Sequence, residues 1–213
     1  MKIKKSIIIV LGIFVAYSFC SPDFKNFKTG DSQQIIEVTG KNGISAELQT
    51  FEKHGNSWSP GPVKTMAVVG RSGIAPSGLK KEGDGKTPAG IFLLAHAFGY
   101  ADRGVGNMPY RQATEKDIWV DDVHSSDYNR WVSLPTEARS FERMRRNDNL
   151  YEYGLVIDYN MNPIKTGAGS AIFLHVWRNE KSPTDGCVAI SQADMIRLLG
   201  WLEPSKKPRI IIH

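Results

Sequence analysis

Cysteine is nearly absent from this chain of 213 residues: there are two, Cys20 and Cys187. Two cysteines cannot build the multi-bridge framework of a small disulfide-stapled domain. Long apolar runs are scarce as well. The prominent one, Ile7 to Phe19 behind Lys2, Lys4 and Lys5, is shorter than a comfortable membrane span and has the basic and apolar regions of a secretory signal. Residues 1–20 are therefore read as a signal peptide, with cleavage near Ser18 or Cys20. Cys20 sits in the cleavage region, so Cys187 is expected to persist as a free thiol in a compartment where cysteines usually pair.

A block of positive charge is also missing. The formal net charge is +5, but Lys2, Lys4 and Lys5 supply three of those units and leave with the signal. The densest basic cluster, Arg139, Arg143, Arg145 and Arg146, is broken by Glu142 and Asp148, which reads as a solvated face or loop. No nucleic-acid partner is expected. Ligand spacing for a metal is lacking, because His54, His96 and His124 are scattered and form no H-E-x-x-H pattern. The run GDGKT at 83–87 is not a phosphate loop: Lys80 stands where the first glycine belongs, and Pro88 follows at once. No cofactor is expected.

What is present is a single domain of strands. Residues 21–34 form a short polar leader, and 35–213 show no repeat and no low-complexity linker, a length that supports one substantial core. Segments such as IIEVTG, ISAELQTFEKHG, VKTMAVVG, AGIFLLAHAFG, DIWVDD, YGLVIDYN, SAIFLHVW and RIIIH are rich in β-branched and aromatic residues and bounded by Gly, Pro, Asn or Asp. One helix is well marked. Ser191 caps it with Asp194 three residues on, Met195, Leu198, Leu199 and Leu202 follow with helical spacing, and Pro204 lies just beyond. A second helix is expected over Glu137 to Arg146. The fold class is mainly β, a sandwich or barrel-like arrangement of mixed sheets with a few short helices.

Chemistry concentrates between Gly169 and Cys187. His175 ends an apolar strand, and Cys187 follows in a Gly-Cys turn. A thiol is a weak nucleophile near neutral pH unless a base draws off its proton, which an imidazole within reach can do. The bland alternative is a small buried core cysteine. Trp177, two residues after His175, falls on the same strand face and is read either as a wall of the site or as core. Tyr159, with Asn160, Trp131 and Arg139, is a candidate lining of a substrate groove.

The SAIFLH segment ending at His175, followed by Thr184-Asp185-Gly186-Cys187-Val188, resembles the catalytic signature of the L,D-transpeptidase (YkuD-like) family. The glycine-rich stretch 70–92, with its Thr-Pro-x-Gly-x-Phe strand start, and YGLVIDYN at 153–160 resemble that family too. The likeness covers roughly residues 35–213. It implies acyl transfer on peptidoglycan stem peptides through a Cys187 thioester, with His175 as base and the backbone N–H groups around Gly186 and Cys187 facing the oxyanion. Thr184, Asp185 and Ser170 fall beside the implied site. A backbone carbonyl is the preferred acceptor for the second His175 nitrogen, with Ser170 behind it because five residues along a strand reverse the face.

The sequence departs from the family pattern in three ways, one of them a short His-to-Cys interval with only eight residues between His175 and Thr184. Asp185 stands where many members have a second histidine, and Val188 and Ala189 stand where many have arginine or asparagine. A carboxylate at 185 is expected to raise the thiol pKa if the two side chains approach. The resemblance therefore leaves open an L,D-carboxypeptidase or amide hydrolase, or a wall-binding domain without turnover. Export to the periplasm or cell envelope is expected for a monomer, with membrane attachment only if Cys20 is lipidated. The bulky Phe19 before it favours ordinary cleavage.

Overall fold

The computed structural model of the protein describes residues 24, 27 and 29–213. The expected signal peptide, Cys20 and much of the leader lie outside the described residues. Two described leader residues pack on the domain: Phe24 is buried with ring centroids 5.2 Å from Phe51 and 5.3 Å from Trp58, and Phe27 lies against Phe24.

In chain order the strands are β1 (Gln34–Gly40), β2 (Ser45–His54), β3 (Ser57–Val68), β4 (Ile74–Ala75), β5 (Thr87–Pro88), β6 (Gly90–Gly99) and β7 (Tyr110–Gln112). They continue as β8 (Asp117–Val120), β9 (Trp131–Ser133), β10 (Phe141–Arg143), β11 (Tyr153–Ile157), β12 (Phe173–Val176), β13 (Val188–Ile190) and β14 (Arg209–Ile212). The helix α1 spans Gln192–Trp201, and single 3-10 turns cover Asn149–Tyr151 and Pro204–Lys206. The main sheet runs β11-β12-β13-β3-β2-β1-β14-β6-β7, and β11 also pairs with β6. That extra pairing closes eight strands into a mixed barrel and leaves β7 as an outer strand on β6. Closure leaves no unpaired edge between those eight strands. A three-stranded sheet, β10-β8-β9, and the parallel pair β4–β5 complete the strands.

Side-chain alternation explains how the barrel wall presents chemistry. Leu174 and Val176 of β12, and Val188 and Ile190 of β13, join the apolar barrel interior with Leu48, Val63, Ile210 and the α1 residues Met195, Leu198 and Leu199. Their neighbours in sequence face the other way. Phe173 on that outer face enters a second cluster with Phe98, Trp119, Met144, Tyr151, Val156 and Cys187. The parallel register sets His175 opposite Ala189 and Leu174 opposite Val188. His175 and Cys187 thus both lie on the outer face of one wall.

The expected α1 forms as its signals require: the Ser191 side chain accepts from the Asp194 N–H, and Met195, Leu198 and Leu199 are buried. The helix expected over Glu137 to Arg146 does not form. That stretch is irregular apart from β10, whose Phe141, Glu142 and Arg143 pair with Val120, Trp119 and Ile118. Around it the Arg139 N–H goes to Asp122 Oδ2 at 2.9 Å and the Met144 N–H to the Asp117 carbonyl at 3.0 Å. The backbone donors therefore bond across to β8 and the loop after it instead of back along a helix, and Met144 is buried in the second cluster.

Candidate active site

The Cys187 turn is held by hydroxyls. Thr184 Oγ1 donates to the Cys187 carbonyl at 2.6 Å and accepts from the Gly186 N–H at 3.2 Å, which closes a tight local turn. Gly186 has φ of +151°, a conformation that L side chains rarely adopt, and an added Cβ would lie 3.1 Å from the Lys86 carbonyl oxygen. The glycine-rich segment before β5 packs against this turn. Gly70 bridges to Thr184, the Thr184 N–H donates to the Val69 carbonyl at 3.1 Å, and the Arg71 N–H to the Thr184 carbonyl at 2.8 Å. A Cβ on Gly70 would come within 2.3 Å of the Gly85 carbonyl oxygen, so only glycine permits the approach.

The Cys187 thiol is buried and fully engaged. It donates to the Ala171 carbonyl at 3.2 Å, and Sγ accepts from the Phe173 N–H at 3.3 Å. Ala171 is held in the left-handed region, φ +53°, with its N–H bonded to Asn129 Oδ1 at 3.2 Å. Asn129 is itself buried, accepting from Trp119 Nε1 at 2.9 Å and donating to the Asn160 carbonyl at 2.7 Å. Burial pushes the thiol pKa up to about 12. The Glu142 carboxylate adds to the rise, while the Phe173 N–H, Lys80 and the Tyr151 hydroxyl oppose it.

His175 is buried on the same face, with Nδ1 2.8 Å from the Val176 carbonyl, an acceptor of the kind preferred from the sequence. Burial brings its pKa down to about 4, against the Val176 hydrogen bond and with help from the Arg146 charge. Thiol and imidazole are therefore both neutral at pH 7. In this resting arrangement the thiol proton points to Ala171 rather than to the imidazole. Tyr151 lies edge-on to His175, with centroids 5.1 Å apart, and donates to Glu142 Oε1 at 2.6 Å.

Both residues line a cleft of about 1100 Å³, together with Trp177, Thr184, Asp185, Gly186 and Ser170. Trp177 lies one residue past the end of β12 and is half-buried. Ser170 donates to Glu82 Oε2 at 2.7 Å and so takes no part in orienting His175. Tyr159 stays outside the cleft: its hydroxyl donates to the Ala168 carbonyl at 2.6 Å and its ring packs on Phe92. Asn160, Trp131 and Arg139 do not line it either.

Asp185 does not approach the thiol in the way the sequence suggested. Its side chain is 91% exposed and pairs with Arg71, an exposed pair with little effect at a buried sulfur. The carboxylate acting on Cys187 is that of Glu142. Sequence reasoning missed Glu142 and Tyr151 along with Lys80, Thr87 and Asn129, because each reaches the site through long-range packing. The Thr87-Pro88 strand start was the one local signal pointing to any of them. Among the described residues no group of three His, Cys, Asp or Glu side chains is arranged to hold a metal ion.

A glycine turn bearing a buried thiol, and an imidazole on the neighbouring parallel strand, line one cleft on the wall of a closed barrel. The chain belongs to the YkuD family, the L,D-transpeptidase catalytic domain, whose family model matches residues 46–212. No curated protein sequence matches it. Among solved structures it is similar to the helical cell shape determining protein Pgp2 of Campylobacter jejuni, at 13% identity and a TM-score of 0.46, over 86% of this chain and 48% of that one. It is similar also to a mutant of Enterococcus faecium L,D-transpeptidase, at 13% identity and a TM-score of 0.37, over 86% of this chain and 50% of that one. The chain spans about half the length of these two proteins.

Proposed function

We propose that this protein is a cell-envelope cysteine acyltransferase that acts on peptidoglycan stem peptides as an L,D-transpeptidase. The observation that carries the reading is that Cys187, in the turn that leads into β13, and His175, on the adjacent parallel β12, line one cleft within a domain of the YkuD family. Both groups rest neutral, so the thiol is activated as it reacts: Cys187 gives its proton to His175 while Sγ attacks the stem-peptide carbonyl. His175 then passes that proton to the departing amine, which leaves a thioester. An amine of a second stem attacks the thioester carbon, the C–S bond breaks, and the proton lost by the amine returns to sulfur.

The oxyanion needs a backbone donor in the turn. The Gly186 N–H is already bonded to Thr184 Oγ1, so we assign that contact to the Cys187 N–H. Fixing Nδ1 on the Val176 carbonyl leaves Nε2 for proton exchange, the usual division of labour for a histidine base.

Incubation of the full chain with tetrapeptide-stem muropeptides should give cross-linked dimers, and incubation with a carbapenem should add its mass to Cys187. Cys187→Ser should lose both reactions while unfolding normally, because it changes the nucleophilicity of one atom. Stem shortening without dimers would reassign the chain as a hydrolase. A fully active Cys187→Ser variant would remove Cys187 from the mechanism.

A further inference from the structure

The acyl-transfer steps leave unused a buried polar pair within the same wall. Tyr151 is 3% exposed, in the aromatic cluster that contains Cys187, with its ring against His175. Its hydroxyl carries one proton, and that proton is committed to Glu142 Oε1 at 2.6 Å. Glu142 in turn accepts from Arg146 Nη1 at 3.3 Å, while Arg146 holds Asp148 through Nε and Nη2 at 2.9 and 3.0 Å. The pair is thus clamped from the solvent side and faces sulfur and imidazole from the inner side.

We propose that Tyr151 and Glu142 are a positioning pair that governs when Cys187 ionises. The Glu142 carboxylate retains the Tyr151 hydroxyl and keeps the thiol protonated, and a proton arriving on Glu142 frees that hydroxyl to hydrogen-bond the thiolate. The logic is a contest for one donor. A carboxylate is the stronger acceptor while sulfur is a neutral thiol, so the hydroxyl points to Glu142 and the S–H turns to the Ala171 carbonyl. Once Glu142 is protonated it becomes a donor, the Tyr151 oxygen accepts from it, and the Tyr151 O–H turns to sulfur.

Charge works in the same sense. Removing the negative charge of Glu142 relieves its repulsion of a thiolate, and a hydrogen bond from Tyr151 stabilises that thiolate directly. Glu142 can exchange its proton with solvent in the cleft, since its side chain is 27% exposed. Desolvation raises its pKa, Tyr151 and Arg146 oppose the rise, and Asp121 adds to it. Of the other charged or titratable groups, Lys80 of the glycine-rich segment opposes the rise at sulfur, and His175 of β12, Glu82, Arg146, Asp148 and Asp185 line the same cleft. Lys80 is tied to Asp84 Oδ1 at 2.7 Å.

The inference rests on Cys187 being the nucleophile of the proposed function, but its test needs no peptidoglycan. The full chain is alkylated with iodoacetamide between about pH 6 and pH 11, and the mass of the Cys187 peptide gives the rate at each pH. Glu142→Gln should move the rate profile to lower pH by about one unit, a tenfold faster alkylation on its rising limb. Tyr151→Phe should move it to higher pH. A purely structural role predicts no movement, or movement of both variants in one direction, and either result overturns the pair. Should Tyr151→Phe fail to fold, Glu142→Gln decides alone: an unchanged or raised profile rejects the proposal. Opposite shifts in a protein that forms no cross-links would uphold the pair and refute the transpeptidase reading.

Discussion

The hydroxyl of Thr87 donates to the carbonyl of Cys187 at 3.1 Å, across 100 residues of chain. The same oxygen accepts from the Gly70 N–H at 2.9 Å. One buried side chain therefore ties the glycine-rich segment to the Cys187 turn, and the Cys187 carbonyl receives a second hydroxyl from Thr184. In the proposed mechanism, attack by Cys187 is efficient only when the backbone around it is held closely, and these hydroxyls hold it from two directions.

Thr87→Val keeps the shape and removes the hydroxyl. It leaves the buried Gly70 N–H without its acceptor, a loss of roughly 1–3 kcal/mol, and slows carbapenem acylation of Cys187. Thr87→Ser should recover most of both, since it restores the oxygen. Chemical unfolding and intact-mass kinetics provide the measurements. A Val variant with wild-type stability and acylation rate would show that the tie is dispensable.

His175 makes stability depend on pH with a definite sign. Its pKa falls from 6.5 to about 4 on burial, so the folded state prefers the neutral ring. That contribution is complete above pH 6.5 and is lost as pH falls toward 4, with a limiting slope of about 1.4 kcal/mol per pH unit. His175→Gln should flatten the stability profile in this window relative to the wild type. Parallel profiles for the two proteins would mean that the imidazole titrates normally. The thiol behaves in the opposite sense on the alkaline side: its raised pKa gives stability that is lost as pH climbs from 9.0 toward about 12.

Asp185→Asn should leave the Cys187 alkylation profile where it is. The exposed pair with Arg71 is worth at most about 1 kcal/mol, so stability should change little as well. A profile displaced to lower pH would restore the expectation drawn from the sequence, in which Asp185 acts directly on the thiol.

Local signals and long-range contacts account for what was legible. The α1 helix was readable because its cap and apolar spacing are encoded within a dozen neighbouring residues. The barrel strands around IIEVTG, AGIFLLAHAFG and YGLVIDYN were readable from β-branched composition. The stretch from Glu137 to Arg146 misled because its alternation of charged and apolar residues also suits a helix, and only pairing with β8 and the burial of Met144 decide against one. Short strands such as β7, β9 and β13 carry too few residues for a periodic pattern.

The same division runs through the site. By itself the sequence indicated the fold family, a Gly186-Cys187 turn and an apolar strand ending at His175, because motif spacing and strand alternation are local properties of the chain; that this strand pairs in parallel with the one after Cys187 is a tertiary fact. Tertiary structure alone decided that Asp185 faces outward to Arg71 while Glu142, far earlier in the chain, supplies the carboxylate near sulfur. It decided also that Tyr159 lies outside the cleft and that Tyr151 lies beside the imidazole. The physical reason is that burial and charge proximity set the pKa values of thiol and imidazole, and both depend on which distant segments the closed barrel packs together.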